Sequence, residues 1–167
     1  MLSFDNAPIA FTNPTGSFDL VGRDASFGTQ WVGSASPWLA LDQNGNGRID
    51  DGRELFGSMT ILPSGAPATN GFEALRALDA DHDGRITEAD PAFASLLLWR
   101  DRDQDRASSK TELIRAIDAG LVAIDLAYEI RPRCEGDACE VERATFTFRS
   151  ERGTQRGSVV DVHFAVR

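Results

Sequence analysis

Apolar positions change period at Gly120. Beyond it, Val122, Ile124, Leu126, Tyr128 and Ile130 alternate with Leu121, Ala123, Asp125, Ala127 and Glu129. A period of two marks a strand, whose side chains point to opposite faces in turn. Ala144, Phe146 and Phe148 make a second such run, and Val160, Val162, Phe164 and Val166 a third. Turn residues separate the runs, EGDA at 135–138 and SERGTQRGS at 150–158. The spacing predicts an antiparallel three-stranded meander with one buried face. Residues 1–40 read as shorter strands, in which LSF, IAFT and SFDLV are broken by Pro8, Pro14, Gly16 and Gly22. Trp31 and Trp38 fall here as core or lid residues.

The middle of the chain reads as helix and loop. Asn70 is an N-cap candidate with Glu73 three residues on, a capping-box pattern, and Phe72, Leu75 and Leu78 follow on one helix face. SKTE at 109–112 repeats the signature and predicts a second helix, with Leu113, Ile114 and Ile117 on one face and Gly120 as its C′ residue. PAFASLLLWR (91–100) is a brief apolar helix or strand, and MTILPSGAPATN (59–70) a linker. LALDQNGNGRIDDGRELFG (39–57) is an acidic, glycine-rich loop running into a short helix. The prediction is an α+β fold, with short helices and acidic loops in the centre and strands at both ends. No boundary divides the chain, so residues 1–167 read as a single domain, with 121–167 as the meander.

Composition narrows the function. The chain has 167 residues, 41% of them hydrophobic and 26% charged, as in an ordinary globular protein. A net charge of −9 argues against nucleic acid and anionic membrane as partners and suits a protein that gathers cations. No apolar run approaches the length of a membrane span. The first residues lack a signal peptide's pattern, so the chain is either cytosolic or a mature fragment. Cys134 and Cys139 flank a turn-like stretch. They suit a cross-hairpin disulfide, which implies an oxidising compartment, or else two free thiols; zinc is disfavoured because nothing nearby completes a site.

Three acidic loops carry the candidate chemistry. A calcium loop of the EF-hand kind supplies oxygens from positions 1, 3, 5, 7, 9 and 12, with glycine at 6 for the sharp turn. In DADHDGRITEAD, Asp79, Asp81 and Asp83 stand at 1, 3 and 5, Gly84 at 6, Arg85 at 7 through its carbonyl, Ile86 at 8 and Asp90 at 12. Aspartate at 12 is a shorter arm than glutamate, which leaves calcium and magnesium both open there. Without an ion the alternating aspartates would repel with no gain. In the first loop Asp42, Asn44, Asn46, Gly47, Arg48, Ile49 and Asp50 fill positions 1, 3 and 5 to 9 in the same way. Its position 12 is Arg53, and Glu54 lies one residue later. In the third loop Asp101, Asp103, Asp105 and Glu112 stand at 1, 3, 5 and 12, with Arg106 where glycine is wanted and Ser108 at 8. The spacing from Asp42 to Asp79 suits two loop-helix units packed as a pair. Loops two and three must share the short segment between Asp90 and Asp101.

LALDQNGNGRIDDGRELFG, NGFEALRALDADHDGRITEADPAF, LLLWRDRDQD and GLVAIDL, in this order, resemble the calcium-binding modules of bacterial secreted RTX (repeats-in-toxin) proteins, closest to the self-processing module of iron-regulated RTX proteins. The resemblance covers about residues 17–127 and implies calcium-driven folding of a secreted module, extracellular or periplasmic. Self-processing members cleave an Asp-Pro bond just before the module and can join the new aspartyl end to a lysine. Here the one Asp-Pro is Asp90-Pro91, inside the module, and the one lysine is Lys110.

Other chemistry has little support. His82 sits at the solvent-facing fourth loop position and His163 reads as an exposed strand residue. No nucleophile signature, P-loop or GxGxxG accompanies them. The expectation is a non-enzymatic calcium-binding module holding about two to three Ca2+ ions. The alternatives are calcium-triggered self-processing, or a module with structural calcium whose meander, locally basic at Arg131, Arg143, Arg149 and Arg152, meets a protein partner.

Overall fold

The computed structural model describes residues 1–13, 16–23 and 29–165. Pro14 and Val166, both used in the strand assignments above, lie outside the described residues. The strands are β1 (Leu2–Ser3), β2 (Phe11–Thr12), β3 (Trp31–Val32), β4 (Trp38–Ala40), β5 (Arg85–Thr87), β6 (Leu97–Trp99), β7 (Leu113–Arg115), β8 (Leu121–Asp125), β9 (Glu129–Glu135), β10 (Ala138–Ser150) and β11 (Gly153–Phe164). One α-helix, α1 (Gly71–Arg76), stands among the described residues, with single 3₁₀ turns at Gly52–Glu54 and Pro91–Ser95. The expected α+β class is therefore corrected: the fold is nearly all β. No described helix is long and apolar enough to cross a membrane.

Strand β10 is the spine. It pairs along its whole length with β11, while β9 and β8 share its other edge. The sheet continues outward through β1 on β11 and β5 on β8. The long alternating run after Gly120 thus becomes two strands in one lane, interrupted at Leu126–Tyr128. There the Leu126 N–H turns to the Gly84 carbonyl (3.0 Å) and the Tyr128 ring stacks on Phe72. The run has no single buried face: Leu121 and Ala123 are buried as well as Ile124 and Leu126, and beyond the interruption Ile130 is 67% exposed. The hairpin between β10 and β11 turns within Ser150–Gly153, so most of the stretch expected as turn is strand.

The second expected helix is also a strand. Glu112 N–H bonds the Ser109 carbonyl and the Glu112 carboxylate bonds back to Ser109, so the capping pattern closes a turn without starting a helix. Leu113–Arg115 then pairs with β6, which itself pairs with β4. So short an isolated helix is marginal, and an adjacent strand satisfies the same backbone groups. Ile114 is consequently exposed. Gly120 keeps a positive φ of 86°, but in a tight turn against Arg149. The first helix does form: the Asn70 side chain accepts from the Glu73 N–H, and Phe72 and Leu75 are buried. Glu73 reaches back to Thr69 and bypasses the Asn70 N–H that a capping box would use.

Two apolar clusters result. One sets Phe146, Phe148, Ile124 and Ile86 against Phe72, Phe93 and Leu98. The other gathers Trp31, Trp38, Trp99, Phe18 and Ile49, with Trp31 within 4.9 Å of Trp38 and 5.6 Å of Trp99, ring centre to ring centre. Trp31 and Trp38 are core residues. Cys134 and Cys139 face each other across the β9–β10 hairpin and form a disulfide.

Phe146 is fully buried, with Phe4 and Phe148 against it. Phe146→Ala is expected to cost about 3–5 kcal/mol, read as an earlier unfolding midpoint in denaturant; an unmoved midpoint would show that this strand contributes little to the core.

Candidate metal sites

The three acidic loops share one hydrogen-bond scheme, although their sequences differ. The first-position carboxylate accepts N–H groups from across the turn. Asp42 takes those of Gly45, Asn46 and Gly47 (2.8–3.2 Å), Asp79 those of Asp83 and Gly84 (3.2 and 3.0 Å), and Asp101 that of Arg106 (3.1 Å). Positions 3 and 5 each cap the N–H two residues on: Asn44 and Asn46, Asp81 and Asp83, Asp103 and Asp105. Such local side-chain bonds stabilise turns in place of regular structure.

The last acid closes each loop by the same two bonds. Glu54 accepts from Gln43 (3.1 Å) and Asp50 (2.7 Å), Asp90 from Ala80 and Thr87 (both 2.8 Å), and Glu112 from Arg102 (2.7 Å) and Ser109 (3.1 Å). These are the second and ninth positions every time. The extra residue of loop one is thus absorbed, and Glu54 does the work of Asp90 and Glu112. All three last acids are buried.

Backbone signs repeat as well. Position 4 has positive φ in Gly45, His82 and Gln104, and position 6 in Gly47, Gly84 and Arg106. A side chain in this region costs about 1–2 kcal/mol. Arg106 offsets that with its own contacts: it is buried, donates to the Thr29 carbonyl and lies over the Trp31 ring at 5.2 Å.

Ligand-type oxygens converge in two of the loops. Those of Asp79, Asp81 and Asp90 lie within 4.8 Å of one another, as do those of Asp101, Asp103 and Glu112. Asp83 and Asp105 fall outside these two groups. In loop one the amides of Asn44 and Asn46 donate to Asp50 (3.3 and 2.6 Å). Arg48 and Arg85 are exposed, and the Arg85 side chain pairs with Asp125 at 3.0 Å.

The pairing of loops differs from expectation. Loop one meets loop three: the Ser108 hydroxyl accepts the Ile49 N–H (2.7 Å) and donates to the Ile49 carbonyl (3.2 Å). Loop two offers Arg85–Thr87 as β5 to β8. Loops two and three do share one segment, the Pro91–Ser95 turn and β6. Asp90, ahead of Pro91, has both oxygens committed to loop two and is 2% exposed.

Electrostatics separate the loop acids. Burial pushes the Asp101 carboxyl up, against the Trp31 Nε1 donor at 2.7 Å. Burial acts on Glu112 too, but the N–H groups of Arg102 and Ser109 and the Ser109 hydroxyl outweigh it and hold that carboxyl down. Asp101 Oδ1 is buried and makes no hydrogen bond.

One constellation escaped the sequence reading. Glu142 and Asp161 flank His163, whose Nε2 lies 2.9 Å from Glu142 and 3.6 Å from Asp161. Asp161, with Glu142, raises the imidazole to about 9. Asp161 is itself lowered: burial opposes this, but the bonds from His163 and the Gly71 N–H prevail. His163 is an exposed strand residue, as expected, and is in addition ion-paired. The D-x-H spacing at 161–163 was visible; the approach of Glu142 was not.

The model of the SPM domain family matches residues 1–165. The iron-regulated protein FrpA of Neisseria meningitidis serogroup C is 41% identical over 112 residues, which are 67% of this chain and 10% of that protein. The chain therefore spans about a tenth of its relative, and the expected kinship with modules of iron-regulated RTX proteins holds.

Ser108→Ala would strip the buried Ile49 N–H of its partner. It is expected to cost about 1–3 kcal/mol, measured by chemical denaturation; a stability equal to that of the unaltered chain would mean that the bridge between loops one and three is idle.

Proposed function

The chain belongs to the SPM domain family, and from that premise we propose that it is a calcium-binding module whose folding and stability depend on Ca2+ in EF-hand-like loops. The observation that carries this reading is Asp101 Oδ1. It is a buried carboxylate oxygen without a hydrogen bond, in a group of three acids whose oxygens lie within 4.8 Å. A buried anionic oxygen left unpaired is costly unless a cation completes it. The donor set around it is oxygen alone, which suits a hard cation.

The same closure in all three loops supports one chemistry for each. Asp42, Asn44, Asn46, Asp50 and Glu54, with the Arg48 carbonyl, would hold the first ion. Asp79, Asp81, Asp83 and Asp90, with the Arg85 carbonyl, would hold the second, and Asp101, Asp103, Asp105 and Glu112 the third. Asp90, one methylene shorter than Glu54 and Glu112, makes loop two the most tolerant of magnesium. A bound ion stabilises the folded chain as RT ln(1 + [Ca]/Kd), about 2.7 kcal/mol per site at a hundredfold excess over Kd. The Cys134–Cys139 disulfide supports an oxidising compartment for the module, extracellular or periplasmic. We read Asp90-Pro91 as a ligand followed by the start of a 3₁₀ turn, since the carboxylate is already held by loop two. No catalytic role is assigned to it.

Two outcomes are expected. Calcium in place of chelator raises the melting temperature by several degrees, and native mass spectrometry finds about two to three ions on an intact chain; an unchanged melt with no added mass overturns the reading. Tryptophan emission responds to calcium through the Trp31–Asp101 bond, and Asp101→Asn removes most of that response while loop two still fills. A response that persists in full would place the reporting ion elsewhere.

A further inference from the structure

Strands β10 and β11 carry a donor group that the acidic loops do not use. One ring nitrogen of His163 and one carboxylate oxygen each from Glu142 and Asp161 lie within 4.8 Å of one another. A β-bulge builds this convergence. Glu140 stands opposite Val162 and Arg143 opposite Val160, so Val141 and Glu142 together oppose Asp161. In an unbulged ladder Glu142 would face Val160, on the other side of the sheet from Asp161 and His163. Bulges re-aim side chains in this way, and they do so often beside functional sites.

The donors are held and reachable. Glu142 is 7% exposed, and the Asp161 side chain is fixed by the Gly71 N–H at 2.6 Å. The His163 ring is open on one side, 46% exposed. Asp161 and His163 also line a cavity of about 230 Å³, walled by Trp38, Leu39, Phe72 and Phe164. An incoming ion has both an entrance and room for a further ligand.

We propose that Glu142, Asp161 and His163 form a second kind of metal site, for a borderline divalent ion of the zinc class, distinct from the acidic loops. An imidazole nitrogen with two carboxylates is a zinc-type donor set, whereas the loops offer only oxygen. Three protein donors leave a coordination position free, as in zinc sites that take an exogenous ligand. The Gly71 N–H serves as the outer contact that orients Asp161. Metal-free, the three groups form an ion pair; the metal takes the place of the proton between them, and that proton leaves to solvent.

The test is a zinc chloride titration of the whole chain in saturating calcium, followed by calorimetry and native mass spectrometry. A single zinc ion is expected beyond the calcium complement. His163→Ala should weaken it at least about 10-fold, and His82→Ala, which alters the other histidine, should leave it unchanged. No zinc uptake, or uptake equal in His163→Ala, overturns the proposal. Zinc-edge X-ray absorption on the unaltered chain needs no variant: a single imidazole among oxygen donors supports the site, and a shell without imidazole overturns it. Failure of the calcium reading is seen separately, as missing calcium mass.

Discussion

Each acidic loop is closed by a carboxylate that grips its own backbone at the second and ninth positions, and the surrounding elements are arranged around those closures. Glu54, Asp90 and Glu112 are buried because their oxygens are already satisfied by N–H groups. Their satisfaction forces the chain to turn tightly over the preceding residues. Positive φ at positions 4 and 6 follows from that turn, whether the residue there is glycine, histidine, glutamine or arginine. What enters and leaves each loop can then be short, and the flanking helices shrink to single turns or disappear.

The closures also set how the loops lean on the rest of the molecule. Loop two presents Arg85–Thr87 in extended form, and β8 takes it as a sheet partner. Loop three presents Ser108 where loop two presents Ile86, and a hydroxyl there reaches the backbone of Ile49. Loop three further borrows the tryptophan cluster: Trp31 donates to Asp101 while Arg106 lies over its ring. The charged site and the apolar core are thus one construction, in which a core side chain supplies a donor to a site carboxylate.

The loops were legible in the sequence because their chemistry is local. Asp, Asn and Glu at alternating positions make their bonds within about twelve residues, so spacing alone places the turn. Loop one shows the limit of counting, since Glu54 sits one position late and still makes the two closing bonds. The N-cap at Asn70 was legible for the same reason. SKTE at 109–112 carries the same signal but precedes a strand, because β6 lies within reach of Leu113–Arg115 and a helix there would have too few residues to sustain itself.

The sequence by itself determined where the three acidic loops turn, which carboxylates share a loop and where apolar residues alternate. All of these are settled by neighbours a few bonds away. Only the tertiary structure decided that loop one pairs with loop three, that the run after Gly120 breaks at Leu126–Tyr128, and that a bulge carries Glu142 round to His163. Those outcomes depend on contacts between residues far apart in the chain, such as Ile49 with Ser108 and Leu126 with Gly84. Hydrophobic period records which face of a strand is apolar, but not which strand will lie beside it; that is settled by which backbone groups and side chains find partners once the sheet has closed.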